Sequence, residues 1–138
     1  MSNCLHKVPG VLLLVCITMA GTMGGADATL GGKAQVPDLG PNVHIFDASM
    51  SMKKIQKALD EVFEEQEHAQ FGSGRYAFLF KPGEYNVDVN VGFYTEVLGL
   101  GESPDDTHII GAVRAEADWM KGNATCTFWR SCAGLSVT

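Results

Sequence analysis

The spacing of hydrophobic residues changes along this chain, and each change marks a different element. From Val11 to Ala20 the chain is almost continuously apolar. Between Ser49 and Glu67 the apolar residues Ile55, Leu59, Val62 and Phe63 recur at the i, i+4, i+7 spacing of one helix face, with charged residues elsewhere. The pattern predicts an amphipathic helix over about Met50 to Glu67, with Ser49 or Ser51 placed to cap its N-terminus. From Arg75 onward the period falls to two. "RYAFLF" sets Tyr76, Phe78 and Phe80 against Ala77 and Leu79, a strand expected to be buried on both faces. "YNVDVNVG" turns Val87, Val89 and Val91 to one side and Asp88 and Asn90 to the other. Between them, Pro82-Gly83 suits the central positions of a type II turn. Short apolar segments follow at "YTEVLGL", "THIIGAV", "TCTFW" and "GLSVT". Many short strands about ten residues apart indicate an all-β sandwich, barrel or solenoid.

The helix charges run against its dipole. Lys53, Lys54 and Lys57 occupy the first turns and Glu64, Glu65 and Glu67 the last. The apolar stripe must therefore hold the helix, docked as a cap on the end or side of a sheet.

The N-terminus adds a processing signal. Lys7, the apolar run and the small residues ending at Ala26-Asp27-Ala28 have the layout of a secretory signal peptide over residues 1–28. Glycines and Pro9 leave the run short of the roughly 20 residues that span a bilayer. Residues 29–42, rich in Gly and Pro, read as an extended leader, and 43–138 as the folded part. A secreted protein with no membrane attachment after cleavage is expected. Cleavage removes one lysine and one aspartate and leaves the net charge at -6. With no basic patch, nucleic acid is excluded as a partner.

Candidate chemistry is sparse. A calcium loop beginning at Asn86 would need glycine at its sixth position and glutamate at its twelfth. Val91 and Val97 stand there, so the strand reading holds and no metal site is expected. Asp105 and Asp106 are an adjacent acidic pair in a loop, but "ESPDD" is also ordinary turn chemistry. Asp88 and Glu96 could meet sugar hydroxyls from a sheet face, although solvated strand carboxylates are the simpler reading. His44, His68 and His108 show no metal-ligand spacing. Trp119, Trp129, Tyr85, Phe93 and Tyr94 could stack on sugar rings, yet aromatics in short strands more often fill a core. Cys126 and Cys132 would need a chain reversal between them to form a disulfide, since a single strand would set them about 20 Å apart. Pairing with cysteines elsewhere stays equally open. Asn123-Ala124-Thr125 is an N-glycosylation sequon, which makes Asn123 a modification candidate in a eukaryotic secretory path. No catalytic residue and no cofactor site is assigned.

"IQKALDEVFEEQ", "RYAFLFKPGEY", "TEVLGLGESPDDTHIIGAV" and "TFWRSCAGLSVT", in that order, resemble the entrance of pectate-lyase-like secreted proteins. The last segment is similar to a branch in bacteria and fungi that often carries adenylyl cyclase names. The resemblance covers about Asn42 to Thr138 and lacks the D-x-GAxGDGxxDDT motif that usually precedes the helix. It implies a mostly β fold: a single-stranded right-handed parallel β-helix with an N-terminal capping α-helix, truncated after its first coils. It implies a secreted protein that binds or processes extracellular polysaccharide, with any catalytic carboxylates on later coils outside this chain. The alternative is a non-catalytic surface or adhesion solenoid acting as a rigid spacer.

Overall fold

Phe46, Phe78 and Phe80 explain how the sheets begin. The computed structural model describes residues 37–127 and 130–138; the expected signal peptide, most of the leader, Phe128 and Trp129 lie outside the described residues. Strand β1 (Val43–Phe46) pairs in parallel with β2 (Tyr76–Phe80), and this register sets Phe46 beside Phe80 and His44 beside Phe78. The Phe46 and Phe80 rings lie 5.0 Å apart by centroid and are all but fully buried. Like side chains stack here because parallel strands carry matched positions on the same face.

Between those strands runs α1 (Met52–Gln66), with Ile55, Leu59 and Val62 buried as the periodicity requires. Phe63, at the margin of the stripe, is half-buried. Ser51 occupies the N-cap, but its side chain makes no capping bond; its carbonyl accepts from Lys54 and Ile55 N–H. Ser49, the other candidate cap, donates its N–H and its hydroxyl to Asp47 Oδ1 at 3.0 and 2.8 Å. The charge pattern is as unfavourable as the sequence suggests, with no acid in the first turn and no base in the last. Packing holds the helix: its buried residues belong to one core with Phe78, Phe80, Val87, Val89, Val91 and Val97.

Beyond β2 the chain visits three sheets in a fixed cycle. Strands β3 (Gly83–Tyr85) and β4 (Asp88–Asn90) lead out of the first sheet, and β5 (Thr95–Gly99) returns to pair with β2. The second circuit repeats this: β6 (Thr107–Ile109) pairs with β3, β7 (Ala112–Arg114) with β4, and β8 (Cys132–Ala133) with β5. Strand β9 (Ser136–Val137) then joins β6. The result is a four-stranded sheet β1-β2-β5-β8, a three-stranded sheet β3-β6-β9 and a two-stranded sheet β4-β7, with every pairing parallel. Each circuit places apolar residues inward. Phe78 lies beside Val97 and Tyr85 beside Ile109, all fully buried.

Several sequence expectations need correction. Ala77 and Leu79 are only half-buried, so β2 is fully buried on its Phe78 and Phe80 face alone. Pro82-Gly83 does not form a type II turn: Gly83 has φ 147° and already pairs with Thr107 in β3. The pair instead makes a corner, and the Tyr85 hydroxyl lies 2.8 Å from Lys81 O and 3.2 Å from Phe46 O, sharing one proton between two carbonyls. Burial pushes the Tyr85 pKa up to about 12, so this bond persists across the ordinary pH range. Thr125 and Cys126, expected within a strand, lie in a turn of 3₁₀ helix over Ala124–Cys126.

Candidate functional site

The sequence candidates do not converge on one site. Asp105 and Asp106 close a 3₁₀ turn over Pro104–Asp106, where the Ser103 hydroxyl accepts from Asp105 N–H and Asp106 Oδ2 accepts from Ser103 N–H at 2.8 Å. This is turn chemistry, with the Asp106 carboxylate already engaged. Glu96 Oε1 accepts from the Ser131 hydroxyl at 2.6 Å. His44 is wedged among Phe46, Tyr76 and Phe78, and burial lowers its pKa. His108 Nε2 lies 2.8 Å from the Thr138 hydroxyl. Cys126 and Cys132 are free thiols. Among the described residues no group of three His, Cys, Asp or Glu side chains is placed to hold a metal ion.

Two surfaces remain. The first is the outward face of the β4-β7 sheet. Arg114 Nε donates to Asn90 Oδ1 at 2.7 Å, and its guanidinium lies 4.0 Å from Asp88 and 3.8 Å from Glu116. The parallel register makes this array by setting Asn90 beside Arg114. It offers donors and acceptors to a polar ligand. Beside it opens a largely apolar cleft of about 440 Å³ whose described walls include Val91, Val113, Arg114, Thr125, Cys132 and Val137.

The second surface is built by the crossings from the β4-β7 sheet back to the first sheet. In the first circuit that crossing is short, Val91 to Tyr94; in the second it runs from Ala115 to Ser131. Both pack on the C-terminal end of α1 and the segment that follows it. Phe93 N–H donates to Gln66 O at 3.0 Å, Tyr94 hydroxyl donates to Gln70 O at 2.7 Å, and the Arg75 guanidinium lies 3.5 Å over the Tyr94 ring. The Trp119 ring meets His68 edge-to-face at 4.4 Å and lies 6.4 Å from Phe93. Tyr94 and Lys121 are the non-glycine residues at positive φ among those described, at 56° and 57°, and each falls in one of these crossings. Backbone held in that region is costly for a side-chain-bearing residue and concentrates at functional loops.

Of the aromatics singled out in the sequence, Tyr85 and Phe93 are core residues, Tyr94 is half-buried and Trp119 is exposed; Trp129 lies outside the described residues. Sequence reading missed the contact of His68 with Trp119. The available signal was the unequal interval between successive strand segments, which marks a long insertion in the second circuit.

Comparison with known proteins places this arrangement. No family model matches the chain. Over 101 residues, 72% of its length, it is 52% identical to an exo-β-1,3-glucanase of Streptomyces sp. (strain SirexAA-E / ActE), and it spans 16% of that protein. Two solved structures of sacteLam55A from Streptomyces sp. SirexAA-E are also similar. The first is 50% identical with a TM-score of 0.64, covering 73% of this chain and 18% of that one. The second, a variant in complex with glucose, is 51% identical with a TM-score of 0.68, covering 74% and 18%.

These relatives correct the resemblance drawn from the sequence. The sequence relative is an exo-β-1,3-glucanase, and none of the three gives a link to pectate-lyase-like proteins or to the branch bearing adenylyl cyclase names. The motifs that suggested it are architectural. The helix stripe buries Ile55 and Leu59, and the corner before Tyr85 starts a new parallel strand. Such motifs report how the chain turns and packs, not which family it comes from.

Proposed function

We propose that this chain belongs to a β-1,3-glucan-processing protein and contributes its entrance segment and glucan-contacting surface. The observation that carries this reading is the 52% identity to an exo-β-1,3-glucanase, sustained over 101 residues. Identity at that level supports a shared substrate class as well as a shared fold. The non-catalytic spacer is disfavoured on the same ground. The chain spans only 16% of that relative, and the acids described here are engaged in turns or spread over the helix and the sheet faces. The reading therefore assigns the hydrolytic carboxylates to sequence beyond the described residues.

The cyclic visit to three parallel sheets supports a β-helix, and the strong preference of parallel crossovers for one hand favours its right-handed form. Helix α1 then caps its first coil. The signal-peptide pattern of residues 1–28 suits a protein that meets polysaccharide outside the cell.

Affinity electrophoresis of the full chain through gels containing laminarin, cellulose derivative or xylan tests the reading. Retardation by laminarin alone supports it. Equal mobility in all the gels, or retardation by xylan alone, counts against it.

A further inference from the structure

We infer that Trp119 is the stacking platform of a glucan-binding subsite on the long second crossing, with His68 and Glu67 beside it as hydrogen-bonding groups. The inference rests on the β-1,3-glucan reading above and names where the sugar sits.

Trp119 is 40% exposed although its turn is tightly fixed. Lys121 N–H donates to Asp118 O at 3.1 Å and Gly122 N–H to Ala117 O at 3.0 Å, the paired closure of a Schellman turn, with Lys121 at φ 57° in the position glycine usually takes. A lysine held there carries a conformational cost. The turn nonetheless presents a large apolar ring to water. His68 at 4.4 Å and Phe93 at 6.4 Å flank the ring and leave it part-exposed.

The surroundings suit a sugar. A glucosyl ring offers a flat face of C–H groups and a rim of hydroxyls, so it needs an aromatic plane with polar groups at the margin. The indole supplies the plane and its own N–H donor. The His68 side chain, largely open to solvent, supplies a polar margin, with the part-exposed Glu67 carboxylate 3.4 Å from its Nε2. The formal net charge of -6 disfavours anionic ligands and leaves neutral glucan unpenalised. In proteins built by repeating circuits, a lengthened loop on one side is commonly the binding side. Trp119 is also absent from the walls of the apolar cleft, so this surface is separate from it.

The test uses the full chain and its Trp119→Ala and Trp119→Phe variants, compared by affinity electrophoresis in laminarin gels alongside thermal unfolding. Trp119→Ala should bind about tenfold more weakly, the scale of one lost aromatic contact. Trp119→Phe should fall between, and both unfolding midpoints should match the parent. Undiminished retardation of Trp119→Ala overturns the inference while leaving the glucan reading intact. Should Trp119→Ala fail to fold, the parent's indole N–H signal that vanishes in Trp119→Phe provides the readout. A shift of that signal on adding laminaritriose supports the subsite. Shifts elsewhere with that signal unmoved overturn it, and a protein that binds no β-1,3-glucan at all overturns both readings.

Discussion

Gln56 on α1 exchanges two hydrogen bonds with the backbone of Asp88 on β4: its Nε2 donates to Asp88 O and its Oε1 accepts from Asp88 N–H, each at 2.9 Å. The amide thereby does for the edge of the β4-β7 sheet what a neighbouring strand would do. An open parallel edge leaves N–H and C=O groups unpaired and invites association with other chains. The helix therefore covers apolar core and also terminates a sheet.

Replacing Gln56 with alanine removes both bonds and should lower stability by about 1–3 kcal/mol. Chemical denaturation of the parent and variant measures this, and a greater tendency to aggregate should accompany it. An unchanged midpoint would show that α1 caps the fold through its apolar stripe alone.

Gly83 sits at φ 147°, and a Cβ there would come within 2.5 Å of the Ala48 side chain. Gly83→Ala therefore combines an unfavourable backbone with a collision between the corner and the segment leading into α1. A loss of about 1–3 kcal/mol is expected. The variant's denaturation midpoint checks it.

Asp47 links that segment to the first sheet. Ser49 N–H donating to its carboxylate, helped by the Ser49 hydroxyl and by Lys81 Nζ at 3.1 Å, lowers its pKa from 3.8 to about 2. A carboxyl with a depressed folded-state pKa stabilises the fold while ionised. Its contribution is fully present above pH 4 or so, where both states are ionised, and is lost as pH falls from about 4 toward about 2. Asp47→Asn should flatten the acid limb of the stability profile in that window and leave its shape near neutrality unchanged. Thermal midpoints recorded across the pH range test it.

Asn123 is exposed, and the Thr125 hydroxyl donates to its Oδ1 at 2.6 Å. Expression through a eukaryotic secretory path should attach a glycan there. A mass decrease on endoglycosidase treatment, absent in Asn123→Gln, would demonstrate it.

The helix and the individual strands were legible because their signals are local, whereas their parallel pairing is made between segments distant in sequence. Ile55, Leu59 and Val62 reveal the helix face at its own period, and Val87, Val89 and Val91 reveal a strand face at period two. The corner at Gly83 was legible only as a break. Its geometry depends on Ala48 and on the Phe46 carbonyl that the buried Tyr85 hydroxyl reaches, both distant in sequence. The candidate surface was hidden for the same reason. His68 follows the helix and Trp119 lies in the second circuit, and only the return of the chain to the same sheets brings them together. The family suggestion failed because the shared motifs encode corners and caps, which do not specify the polysaccharide.

The most direct test of the glucan account is isothermal titration calorimetry of the full chain with laminarihexaose and cellohexaose. Saturable binding of the β-1,3-linked oligosaccharide, with little or none of the β-1,4-linked one, is the predicted result. Binding of neither, or a preference for cellohexaose, would contradict it.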